Sequence, residues 1–257
     1  MEDNPACRPN SDELRGKVAL VTGGSRGLGR EMIRAFAERG AHVIVASRKV
    51  DDCQTLADEV RNAFGVEAMA VACNVSVWDE CNELVEAAYR RFGKVDILVN
   101  NAGLSPLYPS LDDVSAELFD KVIGVNLRGP FRLMAAIGTR MAAGDGGNII
   151  NIGSVEAIRP RGMALPYAAA KAGLHVLSEG FAQSFGPSVR VNTIQAGAFL
   201  TDISENWPDG VREGIETDTA LARCAEADEI VGAAVFFATS ASSYATGALL
   251  RYDGGIR

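Results

Sequence analysis

"TGGSRGLG", residues 22–29, follows the apolar run "KVALVT" (17–22) and opens a stretch whose Leu28, Met32, Ala35 and Phe36 share one helical face. A glycine-rich turn between a strand and a helix is where a backbone can approach an anion. Glycines permit the tight turn, and the unpaired N–H groups and dipole of the helix start favour a phosphate. The spacing, Gly23-x3-Gly27-x-Gly29, differs from GxGxxG, so a plain strand-to-helix turn stays open as the alternative. Arg26, a bulky cation among residues almost without side chains, needs its own explanation.

The same alternation continues along the chain. Strand candidates follow at 42–47, 67–73, 96–100, 148–153, 189–194 and 247–252, mostly apolar throughout, as expected where both sheet faces are covered. Helical stretches lie between them; Cys81, Leu84, Val85, Ala88 and Phe92 line one, and Ser76 with Asp79 has capping-box spacing. Strands alternating with helices predict right-handed βαβ units and an α/β fold with a parallel sheet. There is no internal repeat, low-complexity tract or Pro/Gly-rich linker, which predicts one domain.

Composition narrows the function. The chain has 257 residues, 47% hydrophobic and 23% charged, enough to bury a sizeable core. A formal net charge of -8 disfavours nucleic acid and anionic membranes as partners. No apolar run approaches the roughly 20 residues that span a bilayer. The polar N-terminus lacks a signal peptide's apolar core, which predicts a flexible tail over 1–14 and a cytoplasmic protein. Cys7, Cys53, Cys73, Cys81 and Cys224 are scattered without CxxC spacing, so reduced thiols are expected. His42 and His175 have no paired ligands nearby, and no metal site is expected.

Tyr167 and Lys171 are four residues apart in "YAAAK" and share a helix face. A free phenol titrates near 10, and a neighbouring ammonium lowers that value toward the range useful for proton transfer. An ordinary amphipathic face is the other reading of such a pair taken alone.

Four ordered motifs, "TGGSRGLG", "NNAG" (100–103), "YAAAK" (167–171) and "YDGG" (252–255), together resemble the short-chain dehydrogenase/reductase family over nearly all the chain after its tail. The resemblance implies a Rossmann fold, doubly wound and seven-stranded, over 15–257, and hydride transfer between an alcohol or carbonyl carbon and nicotinamide. It implies that Tyr167 exchanges the proton and Ser154 orients the reacting oxygen. Lys171 tunes Tyr167 and binds ribose, and Asn126 holds a water that links the lysine to solvent. The implied cofactor contacts are Gly23, Ser25, Arg26, Gly27, Leu28, Gly29, Ser47, Arg48, Asn74, Val75, Asn101, Ala102 and Gly103, then Tyr167, Lys171, Gly197, Phe199 and Thr201.

Arg26 now acquires a role. About 20 residues beyond the glycines, where an NAD site places an acid on the ribose 2′-hydroxyl, the chain reads Ser47-Arg48-Lys49. Arg26 and Arg48 suit a 2′-phosphate, and in the resembled family basic residues there accompany NADP(H) preference; solvated surface arginines are the alternative. Asp51 and Asp52 are expected to start the next helix. Two departures stand out: Asn74-Val75 replaces the family's Asp-Val near adenine, and Ala196-Gly197 replaces Pro-Gly.

The expected activity is that of an NADP(H)-dependent carbonyl or 3-oxoacyl reductase type enzyme. An NAD(H)-dependent sugar or steroid dehydrogenase and a non-catalytic redox-sensing cofactor-binding protein are the alternatives. The substrate side is assigned to 104–108, 155–165 and a lid near 197–220, with Leu104, Ile158, Phe199, Leu200 and Trp207 as either pocket wall or lid packing. Arg159 and Arg161 are read as partners of a carboxylate, a CoA phosphate or an acyl-carrier protein, or as a solvated or interfacial loop. Small residues along 116–143 and 167–185, including Gly129, Ala135, Ala136, Ala168, Ala169, Ala172 and Gly173, together with the resemblance, predict a homotetramer.

Overall fold

Seven parallel strands in a computed structural model, which describes residues 13–202, 204, 207 and 210–256, form one doubly wound sheet. The strands are β1 (Val18–Thr22), β2 (His42–Ser47), β3 (Ala68–Ala72), β4 (Ile97–Asn100), β5 (Gly147–Ser154), β6 (Val189–Ala196) and, after two short strands, β9 (Leu249–Tyr252). Their order is β3-β2-β1-β4-β5-β6-β9, so the winding reverses between β1 and β4. Every expected strand is present within two residues.

Helices cover both faces because successive side chains on each strand point opposite ways. Ala19 and Val21 face α1 (Gly27–Glu38), α2 (Val50–Phe64) and α8 (Ile230–Ala238). Val18 and Leu20 face the layer of α3 (Trp78–Phe92), α5 (Gly129–Ala143) and α6 (Leu165–Phe185). Val43, Val45, Leu98, Val99, Ile149 and Ile150 are fully buried, which accounts for the continuous apolar strands. Helices α4 (Ala116–Ile123) and α7 (Val211–Asp218) lie outside the two main layers.

Two local expectations need correction. Residues 1–12 of the expected tail lie outside the described residues, but Leu14 is buried in the core and donates its N–H to Arg39 O, so the packed chain begins before residue 15. The capping box at Ser76 and Asp79 does not form. Asn74 Oδ1 instead accepts both Ser76 N–H and Ser76 Oγ–H, and Glu80 reaches back to Asn74 N–H at 2.7 Å. Helix α3 then starts behind Val77 without a side-chain cap, because the local Asx turn takes the serine. The segment 197–220 holds β7 (Phe199–Leu200) and α7, and β7 pairs with β8 (Ala225–Glu226) beyond it. Residues 203, 205, 206, 208 and 209 of that segment lie outside the described residues.

Candidate active site

The carboxyl ends of the central strands frame a cleft of about 510 Å³ at the winding reversal, where open α/β sheets bind ligands. Its wall contains every cofactor residue expected from the sequence except Gly29, and Ser154 as well. Gly29 acts from behind: a Cβ there would run into the Gly23 carbonyl, so only glycine lets the turn close. At Gly23, which has φ +62°, a Cβ would lie 2.9 Å from Ala102 Cα, so the loop and the fourth-strand marker touch backbone to backbone.

"NNAG" is first a brace. Asn101 Nδ2 donates to Thr22 O at 2.9 Å and Gly23 O at 3.0 Å, while Thr22 Oγ1 accepts the N–H groups of Asn101 and Ala102. Asn100 Nδ2 donates to Asn151 Oδ1 across to β5. These bonds fix the glycine turn from below.

The start of α1 fits a pyrophosphate. Its N-cap, Arg26, makes no side-chain capping bond, and its first turn holds no acid. That combination sets a helix start with no acid of its own at the cleft wall, where the dipole's positive end favours an anion. Arg26, Arg48 and Lys49 line the adjoining wall over a floor where Ser25 Oγ lies 3.0 Å from Ser47 Oγ. Carboxylates also reach this end. Asp52 starts α2 as expected but lines the cleft too, and Asp202 pairs with Arg26 at 3.6 Å. With its Oδ1 held by Ser76, Asn74 has its NH2 group to offer an adenine.

At the other end, Ala196, where the resembled family has proline, is held by strand pairing on both sides. It pairs in register with Ser154 on one side and Tyr252 on the other, and Gly197 N–H donates to Tyr252 O. A Cβ on Gly197 would lie 2.6 Å from Asp253 Cα, which explains the glycine and ties "YDGG" to the site. Phe199 stacks on Tyr252, and Leu104 and Trp207 share the cleft wall, whereas Ile158 is exposed and Leu200 faces a second, neighbouring cavity.

Ser154, Tyr167 and Lys171 meet in this cleft. Lys171 is buried, with Nζ donating to Ile152 O at 2.7 Å and lying 5.7 Å from the Tyr167 ring centre. Burial lowers its pKa to about 8. Burial also pushes the Tyr167 phenol up, and a hydrogen bond with Ser154 pulls it partly back; Glu156 raises it and Arg161 lowers it. Ser154 and Arg161 are the lowering influences on the phenol, and the Lys171 ammonium lies on the same helix beside its ring. Farther along α6, burial and then Lys171 hold His175 down to about 4, and its Nε2 is buried without a partner.

Asn126 stands just behind the cleft in a π-helical turn, Gly124–Arg128, between α4 and α5. Its Nδ2 donates to Leu104 O and Val122 O, and its Oδ1 accepts Leu104 N–H. The side chain is thus committed to backbone, holding the 104–108 loop; any water contact falls to its main chain. Sequence reasoning passed over Tyr108, whose hydroxyl donates to Gly162 O and accepts Leu165 N–H. It also underrated Glu156, a buried carboxylate bound by the Arg161 side chain and main-chain N–H.

Among the described residues no group of His, Cys, Asp and Glu has a metal-holding arrangement, and no helix is long and apolar enough to cross a membrane. His42 Nδ1 accepts Glu67 N–H, and Cys53, Cys73, Cys81 and Cys224 are buried free thiols; Cys7 lies outside the described residues.

The family model for short chain dehydrogenases matches residues 17–212. The chain is 38% identical to an L-rhamnose 1-dehydrogenase (NAD(P)(+)) of Azotobacter vinelandii, over 93% of this chain and 96% of that one. It is 32% identical to a 3-oxoacyl-(acyl-carrier-protein) reductase of Thermotoga maritima, over 95% and 98%. Among solved structures it superposes on an NADPH-dependent 3-quinuclidinone reductase of Rhodotorula rubra with a TM-score of 0.90 at 27% identity, over 98% and 97%.

Proposed function

The chain belongs to the short-chain dehydrogenase family and is an oxidoreductase; we propose that it prefers NADP(H) and interconverts a secondary alcohol and a ketone, as a cytoplasmic homotetramer. The observation that carries this reading is the meeting of Ser154, Tyr167 and Lys171 at one end of a cleft lined at its other end by Arg26, Arg48 and Lys49.

The α1 start and the Asn101–Gly103 wall would hold the dinucleotide, which would supply a hydride donor or acceptor for the substrate carbon. Tyr167 Oη gives or takes the proton of the substrate oxygen, so no charged alkoxide has to persist. Ser154 Oγ, which shares the cleft with the phenol, offers the same substrate oxygen a partner and so fixes its position. Lys171, anchored on Ile152 O, places a cation behind the ring and within reach of a ribose hydroxyl. The Phe199 main chain and the Thr201 hydroxyl would supply polar partners for a carboxamide.

A second reading, a sugar dehydrogenase able to use NAD(H), is favoured by the L-rhamnose 1-dehydrogenase relative and by Asp52 at the ribose end of the cleft. Initial rates on a panel of ketones, 3-oxoacyl thioesters, polyols and aldoses with NADP(H) and NAD(H) separate the two. Turnover confined to aldoses with NAD+ would replace the first reading by the second. Absence of turnover on the whole panel, with both cofactors bound, would overturn both.

A further inference from the structure

Between Ser154 and Tyr167 the chain passes through two short turns, Val155–Ala157 and Gly162–Ala164, and one acid in it is 7% exposed. That acid is Glu156. One oxygen accepts the Arg161 main-chain N–H at 2.9 Å, and the other is paired with Arg161 Nε. Its own N–H donates to Ser154 Oγ at 3.2 Å. On the other side of the loop, Tyr108 Oη donates to Gly162 O at 2.7 Å and accepts Leu165 N–H at 2.9 Å. Leu165 is the first residue of α6, two before Tyr167. The bonds thus run from Ser154 through Glu156 and Arg161, and then through Tyr108 to the helix that carries the phenol.

Closing a loop does not require a charge in this position. A buried carboxylate costs stability unless it is paired and hydrogen-bonded, and an amide or a hydroxyl closes a turn more cheaply. A charged pair matters, however, where a neighbouring group changes charge. The charged and titratable groups facing Tyr167 are Glu156 and Arg161 from this loop and, on α6, Lys171. Glu156 disfavours a phenolate and Arg161 favours it.

We propose that the Glu156–Arg161 ion pair is a positioning pair for proton transfer, seating Tyr167 against Ser154 and balancing the charge beside the phenol. This rests on the reading of Tyr167 as the proton carrier. Both members act through Tyr167, and neither contacts substrate in this role. Removing either one tilts the balance, in opposite directions.

The test is a titration of Tyr167 by 13C NMR of Cζ-labelled tyrosine in the full-length protein. The chain has five tyrosines, and the Tyr167 signal is identified by its loss in Tyr167→Phe. In Glu156→Gln the Tyr167 midpoint moves to lower pH; in Arg161→Met it moves to higher pH; the double variant returns toward wild type. Each single variant loses about tenfold to a hundredfold in kcat while the NADPH dissociation constant stays within about twofold. Arg161→Lys, which keeps the charge if Arg161→Met folds poorly, leaves the midpoint in place. Unmoved midpoints, or shifts of the same sign in both single variants, would reduce the pair to a loop brace and overturn the proposal. A wild type that turns over no carbonyl or alcohol would sink the functional reading instead, and the NMR midpoints would still decide the pair.

Discussion

The Lys171 ammonium lies 5.7 Å from the centre of the Tyr167 ring, yet it donates to the Ile152 carbonyl. The lysine is thus a buried cation on a neutral acceptor, held by one backbone dipole. Such a site costs free energy, and the pKa of about 8 is its measure.

Lys171→Met is expected to stabilise the fold while abolishing turnover. The folded-state value lies below the ordinary 10.5, so the full cost of burying the charge is present below pH 8, where both states bind the proton. That cost is about 3 kcal/mol, offset by about 1 kcal/mol for the hydrogen bond lost at Ile152. Between pH 8 and 10.5 the unfolded state binds more protons, so wild-type stability rises with pH and the gap closes. Thermal melts at pH 7 should place the variant higher by roughly 4–8 °C, converging on wild type toward pH 10. A variant less stable at pH 7 would mean that the ammonium is net stabilising.

Tyr167→Phe tests the chemistry without disturbing that site. The ring and its contact with Lys171 remain, while the transferable proton goes. Cofactor fluorescence titration should give unchanged dissociation constants, and steady-state rates should fall by roughly 10²–10⁴. Near-normal turnover would remove Tyr167 from the proton path.

The seven strands and the two helix layers were legible because continuous apolar runs and helical faces are local signals. The glycine turn was legible from its place between a strand and a helix, and Tyr167 and Lys171 as a pair four apart on one helix face, whereas Ser154 came only with the family resemblance. What escaped depends on competition or on distance. Ser76 offers a cap only if Asn74 does not take its hydroxyl first. Phe199–Leu200 is too short for any alternation to mark it as a strand, and its partner is Ala225–Glu226. Tyr108 meets Gly162 across 54 residues, with nothing in either sequence to announce it. Glu156 and Arg161 are five apart, a spacing that pairs charges in a turned loop but not along a helix.

Asn101→Ala should weaken both cofactors equally. Its two bonds to Thr22 O and Gly23 O hold the glycine turn, which would serve the pyrophosphate that NADH and NADPH share. Two buried acceptors lose their donor, for roughly 1–3 kcal/mol in stability. Isothermal titration with both cofactors measures the first effect and chemical denaturation the second. A loss confined to NADPH would contradict the shared-loop argument.

Light scattering at micromolar concentration should give four times the chain mass. Phe119 on α4, Phe131 on α5 and Val176 on α6 are exposed at 44%, 38% and 70%, and Ala169 is exposed beside them on α6. Apolar side chains at that exposure on packed helices suit a subunit contact. Val176→Lys should dissociate the assembly at least to dimers, because an interface core excludes an unpaired charge. A monomeric wild type would end this expectation.

Cofactor choice is expected to turn on the cations of the opening loop and of the second strand's end. Arg26 is 60% exposed and already 3.6 Å from Asp202, so a 2′-phosphate would have to compete with a weak surface pair worth at most about 1 kcal/mol. A charge-assisted contact is worth roughly 1.5–3 kcal/mol, and exposure holds Arg26 to the lower figure. Arg26→Ala is therefore expected to weaken NADPH about tenfold while sparing NADH. Asp202→Asn should strengthen NADPH slightly by releasing the arginine. Arg48→Asp removes one partner of the phosphate and adds a repelling charge that accepts well from a ribose hydroxyl, so preference should pass to NAD(H). Added salt should narrow the wild-type gap, since these groups are open to solvent. Dissociation constants for both cofactors at two ionic strengths, across wild type and the three variants, provide the check. Equal losses for NADH and NADPH in Arg26→Ala would mean that Arg26 shapes the turn, and that the phosphate is read by Arg48 and Lys49 alone.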